Sequence, residues 1–321
     1  MNVSLRWLES LLPGLDADAS EVADRLSATA VVVEEVVSIG EGLEELLVAR
    51  VQEARPHPNA DRLTLCRVEA GGESPVDVVC GAPEVIEGAL YPYVPPGATL
   101  PDGLEIEVRT IRGEESHGML CSASELGLGR DASGIMRLDD GLEVGVPLTD
   151  ALELPDARLV LDLTPNRVDL ACHVGVAREI APGGTAQIVL PRFGESWEPE
   201  WEVHESRAEA AGVSVEIEAP ERCERYLGAV IHDVQVGPSP AWLQSRLRAI
   251  GARPVNNVVD ATNYVLHEVN QPLHAFDLGR LQGRDVRVRE ARVGERLRTL
   301  DGVERELRPS MTVIADAEEP V

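Results

Sequence analysis

Between residues 40 and 148 the hydrophobic pattern has the period of strands rather than helices. LLVARVQEARPH from Leu46, LTLCRVEAGG from Leu63, VDVVCGAP from Val76, LYPYVPPGATL from Leu90, EIEVRTIRG from Glu105 and MLCSASELG from Met119 are short apolar or alternating runs. Gly81-Ala82-Pro83 and Pro95-Pro96-Gly97 punctuate them as turns. Runs of this length are too short for the helices of a bundle, and their regular spacing favours a small Greek-key barrel. With only two Phe in the chain, the cores must be built from Val, Leu, Ile and Ala.

The flanks read differently. Val3 and Leu5 alternate, and Trp7, Leu8, Leu11 and Leu12 then share a helix face that Pro13-Gly14 ends. Ser20 is expected to cap a second helix carrying Val22, Ala23 and Leu26, and VVVEEVVSI from Val31 reads as a strand. After the β-rich stretch come a strand over 157–163 and a helix opened near Asp169. Residues 182–221, rich in Gly, Pro, Glu and Trp, are expected to be a linker with one strand, Val213–Ile217. From Arg222 onward the pattern is α+β. RYLGAVIHDVQV is expected as a strand, Ser239-Pro240 opens a helix that Gly251 closes, and DVRVREAR, LRTLDGVERELR and MTVIAD are expected strands with an Asp301-Gly302 hairpin turn. The expected class is therefore α+β multidomain: 1–39 with 149–181, 40–148, a linker over 182–221, and 222–321.

The chain has 321 residues and a net charge of −27, and all 29 of its basic residues are arginine. Residues 40–148 hold 20 Asp or Glu against 8 Arg, whereas 222–321 hold 14 of each. A surface that grips RNA through phosphates is expected to be basic, which moves the expected contact toward the C-terminal third. There Arg280, Arg284, Arg287, Arg289, Arg292, Arg296 and Arg298 face only Asp285, Glu290 and Glu295. They read either as phosphate partners or as a solvated strand paired with its own carboxylates. Five cysteines lie far apart without a C-x-x-C pair, against a zinc site or disulfide framework. No apolar run reaches a membrane-spanning length and no secretory signal pattern opens the chain, so a cytoplasmic location without membrane contact is expected.

NNVVDATNYVLHEVNQPLHAFD, Asn256 to Asp277, threads polar side chains through an amphipathic helix. Asn256 or Asn257 can cap it, Val258, Ala261, Thr262, Val265 and Val269 form its apolar stripe, and Pro272 stops it. Thr262 and Asn263 are placed about a turn before its end and His274 on the exit, where a hydroxyl, an amide and an imidazole could share a pocket mouth. Any one of them, taken alone, reads first as a hydrogen-bonded core or capping residue.

This string resembles the start of the editing domain in the beta subunit of bacterial phenylalanyl-tRNA synthetase. Residues 1–36, HPNADRLTLCRVEAGG from His57, VVCGAPEV from Val78, SHGMLCSASELGLG from Ser116 and LDLTPNRVDLACHVGVAREIA from Leu161 resemble further blocks of that family, in its order. The resemblance covers most of the chain, most poorly over 182–221. It implies a split N-terminal α/β domain with an inserted OB-fold β-barrel, followed by an incomplete editing domain that stops short of the glycine-rich turn and acidic residue completing the amino-acid pocket.

By the same resemblance, Arg253, Thr262, Asn263 and His274 line a site that hydrolyses tyrosine misattached to the tRNA for phenylalanine, an activity expected to be weak or absent in this stretch alone. Asn59, Arg62, Arg112, Ser116 and Met119 lie on the implied RNA face of the barrel, where Glu114 and Glu115 oppose the two arginines. His57 to Arg62 otherwise reads as a capped turn and Cys121 as a buried thiol. The implied partners are an alpha subunit, in an α2β2 tetramer, and the tRNA. No cofactor or metal is expected on this chain, with ATP and Mg2+ used elsewhere in the complete enzyme. A free-standing tRNA-binding protein and a scaffold without catalytic activity remain open alternatives.

Overall fold

The computed structural model describes residues 1–184, 186–190, 206–299 and 302–321. Two compact units result, Met1–Pro191 with Val236–Leu273, and Arg192–Gln235 with His274–Val321.

The first unit begins with β1 (Asn2–Ser4), α1 (Leu5–Leu11), α2 (Ala19–Thr29) and β2 (Val32–Ile39). Ser4 caps α1 by accepting the Trp7 N–H at 3.0 Å. At α2 the expected Ser20 cap gives way to Asp18, whose carboxylate takes the N–H groups of Ser20 and Glu21 at 2.9 Å while the Glu21 side chain returns to the Asp18 N–H. The reciprocal capping box satisfies more orphan donors than one hydroxyl could.

The β-rich stretch supplies β3 (Leu47–His57), β4 (Ala60–Glu69), β5 (Val76–Cys80), β6 (Leu90–Val94), β7 (Val108–Ile111), β8 (Glu114–His117) and β9 (Met119–Leu120). The expected barrel does not close. An open antiparallel sheet in the order β5-β4-β3-β6-β9 stands beside a separate β7–β8 hairpin. Where β5 approaches β8, the Val79 N–H is taken by the Ser116 hydroxyl at 3.0 Å, so a side chain occupies a donor that would otherwise extend the ladder. Gly118 makes the turn into β9 at φ +107, where a Cβ would lie 2.4 Å from the Val94 carbonyl oxygen.

After the short α3 (Leu148–Ala151), β10 (Asp156–Asp162) lies between β1 and β2, with Val3 opposite Leu159. The helix expected near Asp169 is α4 (His173–Ile180), preceded by a 3-10 turn and capped by the Cys172 sulfur, which accepts the Gly175 N–H at 3.3 Å. Trp7, Leu8, Leu12, Leu26, Leu159, Leu161, Leu170 and Val176 pack into one core with Leu247 of α5 (Ala241–Ala249). α5 and α6 (Asn257–Val269) therefore pack within this unit.

In the second unit β11 (Arg207–Ala210) and β12 (Val213–Ile217) form a hairpin whose two turn residues, Ala211 and Gly212, both have positive φ. Val213–Ile217 matches the expected strand, and β11 lies in what was read as linker. β12 runs parallel to β13 (Asp285–Glu290), which is antiparallel to β16 (Thr312–Ala315). β14 (Arg296–Arg298) pairs with β15 (Glu304–Glu306). Asp301 of the expected hairpin turn lies outside the described residues. The strand expected from Arg225 is not formed. Leu227 and Ile231 are 65 % and 78 % exposed.

Candidate editing and RNA-facing sites

α6 starts where expected, with the Asn256 side chain accepting the N–H groups of Val258 and Val259 at 3.1 and 3.0 Å. It ends on Asn270 in the left-handed conformation. Its fully buried positions are two acids, Asp260 and Glu268, with half-buried Tyr264 between them, and of the expected apolar stripe Val269 packs against the core. Asp260 accepts the Ser239 hydroxyl and the Val255 N–H. Glu268 accepts the Tyr264 hydroxyl at 2.6 Å and the Trp7 indole N–H at 3.4 Å. Each charge is thus buried with donors, as a buried carboxylate requires.

Trp7 is the hub of this contact. His173 stacks on it with centroids 3.9 Å apart and Tyr264 at 4.7 Å. The Arg246 guanidinium sits 5.6 to 5.8 Å from the rings of Trp7, Trp242 and Tyr264. His173 Nε2 accepts the Ser4 N–H at 3.1 Å, so its Nδ1 carries the proton donated to the His267 carbonyl at 2.8 Å. Burial pushes the His173 pKa down to about 3, keeping the ring neutral. Nothing in local spacing identified this group, because α1 and α4 bring Trp7 and His173 from far along the chain to α5 and α6.

Thr262 and Asn263 lie about two turns before the end of α6, further in than expected. The Thr262 hydroxyl is spent on its own helix, donating to the Val259 carbonyl at 2.7 Å. Asn263 is half-buried, and its side-chain amide has no hydrogen-bond partner among the described residues. Arg253 is 83 % exposed and approaches Asp131 at 3.7 Å. His274 belongs to the second unit, where it is exposed and lies over Phe276 with centroids 6.0 Å apart.

The RNA-facing candidates fall into two groups. Asn59, in the β3–β4 turn, donates its side-chain amide to the Arg112 carbonyl at 3.2 Å. Buried His57 braces both turns, accepting the Asn59 N–H at Nδ1 and giving its Nε2 proton to the Ile111 carbonyl. Arg62, near the start of β4, is exposed. Ser116 and Met119 line a cavity of about 480 Å³ together with Cys80, Arg109, Glu105, Glu107 and Glu125. Arg109 lies 3.7 Å from Glu107, so the cavity's single cation is already opposed. Ser116 also donates to the Gly118 carbonyl, so its hydroxyl is fully engaged within the fold.

The arginine-rich stretch resolves toward self-pairing at its centre. Arg289 is 3 % exposed in a two-pronged pair with Glu295, and Arg287 is held by Asp285 and Glu218. Arg296 pairs with Glu304 across β14 and β15. Among the described residues no group of His, Cys, Asp or Glu is arranged to hold a metal ion, and no helix is long and apolar enough to cross a membrane.

Two family profiles match the chain. The one described as "Putative tRNA binding domain" covers residues 46–147, the open sheet and its hairpin, and "B3/4 domain" covers 222–321. The Anaeromyxobacter dehalogenans protein named "Phenylalanine--tRNA ligase beta subunit" is 46 % identical over 98 % of this chain and 38 % of its own length. Those of the same name from Symbiobacterium thermophilum and Moorella thermoacetica are each 44 % identical over 100 % of this chain and 36 % and 40 % of their own lengths. The solved C-terminal domain of Plasmodium vivax p43 aligns with 33 % of this chain and 61 % of its own at 22 % identity and a TM-score of 0.25, too little overlap to argue from. The chain spans well under half the length of these curated relatives, and over that span it belongs to the family of phenylalanine–tRNA ligase beta subunits.

Proposed function

We propose that this chain is the tRNA-facing and proofreading portion of a phenylalanine–tRNA ligase beta subunit, working in the cytoplasm with an alpha subunit in an α2β2 assembly. The observation that carries the reading is identity of 44 to 46 % running through both matched modules along the whole chain. A synthetic site built for an apolar ring rejects the same ring bearing one hydroxyl only about a hundredfold, so the complete ligase needs a second, hydrolytic site for tyrosine. In this reading ATP and Mg2+ act in the remainder of the ligase, and no step here runs through them.

By resemblance to the family, Arg253 is read as a phosphate partner and Thr262 and Asn263 as contacts to the substrate's polar ends; His274, which lies in the other unit, is read separately as a group that orients water or the terminal ribose. A positioned water can attack the ester without a protein nucleophile, since orientation and general-base assistance supply much of the rate. Asn263, half-buried with an uncommitted amide, is the best prepared of the four. Replacing His274 with Ala in the complete subunit tests the assignment: a large fall in hydrolysis of tyrosyl-tRNA is expected, and an unchanged rate removes His274 from the mechanism.

We read the 46–147 module as an OB-type fold that contacts tRNA through shape and its turns more than through phosphates. Its acidic balance and the opposed Arg109 support this.

A further inference from the structure

The open sheet carries a second chemistry beside its cavity. Cys66 on β4 and Cys80 on β5 face the same side of adjacent strands and are diagonal neighbours, because Thr64 pairs with Cys80 and Cys66 with Val78. Both are buried, at 1 % and 5 % exposure, and the Cys66 thiol donates to the Thr64 carbonyl at 3.9 Å. The Cys80 sulfur also accepts the Ala82 N–H at 3.5 Å. The neighbouring Cys66 and the Ala82 N–H lower the Cys80 pKa to about 7, while the neighbouring Cys80 and burial push the Cys66 thiol up. Cys80 and the turn Gly81-Ala82-Pro83 that follows it form one wall of the 480 Å³ cavity, which gives a small reagent a route to the sulfur.

We propose that Cys66 and Cys80 form a redox-active dithiol, converted to an intramolecular disulfide by a small-molecule disulfide that enters the cavity beside Cys80. In the first step the Cys80 thiolate attacks one sulfur of the reagent, forming a mixed disulfide and expelling one small thiolate. In the second, Cys66 gives its proton to solvent and attacks the Cys80 sulfur, closing the Cys66–Cys80 bond and expelling the second small thiolate. The two protein thiols are oxidised and one small disulfide is reduced to two thiols.

The fold decides which cysteine moves. Diagonal neighbours across an antiparallel pair have Cα atoms about 7 to 8 Å apart, whereas disulfides need roughly 4.4 to 6.8 Å. Cys66 lies within β4, which is paired on both sides by β3 and β5, but Cys80 is the last residue of β5. The adjustment therefore falls on Cys80 and the Gly81–Pro83 turn. A bond closed against such resistance is readily reduced, which suits a reversible modification. The remaining thiols lack this arrangement: Cys121 is buried with its pKa raised by burial, Cys172 caps α4, and Cys223 lies in the second unit.

The proposal deepens the reading of the cavity as RNA-facing, but its test reads thiols alone, so its failure would leave that reading standing. The folded 321-residue chain is treated with 2-hydroxyethyl disulfide at pH 7, alkylated, and analysed by intact mass and peptide mapping. The expected result is loss of two of the five free thiols, with a linked Cys66–Cys80 peptide pair forming on the order of tenfold faster than any reaction at Cys121 or Cys172. Cys66→Ser is expected to trap the mixed disulfide on Cys80. Persistence of both thiols in the folded native chain, or linkage of Cys80 to any other cysteine, overturns the proposal, and neither outcome depends on the variant folding.

Discussion

The imidazole of His173 lies against the indole of Trp7 with ring centroids 3.9 Å apart and planes inclined by 19°. Tyr264 covers the indole's other face at 10°. One residue of α1 is thus clamped between α4 and α6, which positions the helix bearing Thr262 and Asn263.

The clamp makes stability depend on pH. His173 titrates at about 3 in the fold and near 6.5 when unfolded. As pH falls through 6.5, only the unfolded state takes up this proton, so stability drops by up to about 1.4 kcal/mol per pH unit until the folded ring also protonates. His267, lowered by burial, adds with the same sign. Urea unfolding at pH 7 and pH 5 is expected to show a larger loss in the native chain than in His173→Gln; equal losses would refute the assignment.

Asp260→Ala should be among the most damaging changes in α6. It strands the Ser239 hydroxyl and the Val255 N–H, and removes the carboxylate facing Arg248, whose own pKa burial lowers to about 10. Breaking such buried charge contacts costs about 3 to 5 kcal/mol. A loss below about 1 kcal/mol in chemical denaturation would mean that the site collapses or hydrates without penalty.

Gly118→Ala tests the turn that supports Met119. Its Cβ would meet the Val94 carbonyl oxygen at 2.4 Å and the Tyr93 ring at 2.6 Å, in a backbone region that L-residues avoid. Overpacking of this kind costs roughly 1 to 3 kcal/mol. The loss should appear as earlier hydrogen exchange in β6 and β9, while amides of β1 and β10 keep their protection.

Binding of tRNA to this chain should respond only weakly to salt if Arg62 and Arg112 are the cations that the 46–147 module offers. Two phosphate contacts correspond to a slope of log K against log salt of about −1.8 on duplex RNA treated like B-DNA. Fluorescence anisotropy across a salt series checks this, and a slope several times steeper would relocate binding to a more basic surface. Arg62→Ala should lower the slope by about one contact's share.

Much was legible in the chain because periodicity and capping are local. The runs from Leu46, Leu63 and Val76 become β3, β4 and β5, and Asn256 caps α6 as its side chain and position require. Membership of the ligase family was likewise carried by fixed strings of residues. Tertiary structure alone decided which face of α6 is buried. Asp260 and Glu268 go inside because Ser239 and Trp7 bring donors from other segments to join the local ones of Val255 and Tyr264, and a hydrophobic pattern cannot count partners that arrive from outside the helix. For the same reason the run from Arg225 forms no strand, and the Ser116 hydroxyl leaves the expected barrel open at Val79. Local sequence sets what each segment prefers to be; the burial of a charge or the pairing of a strand edge depends on what the rest of the chain places beside it.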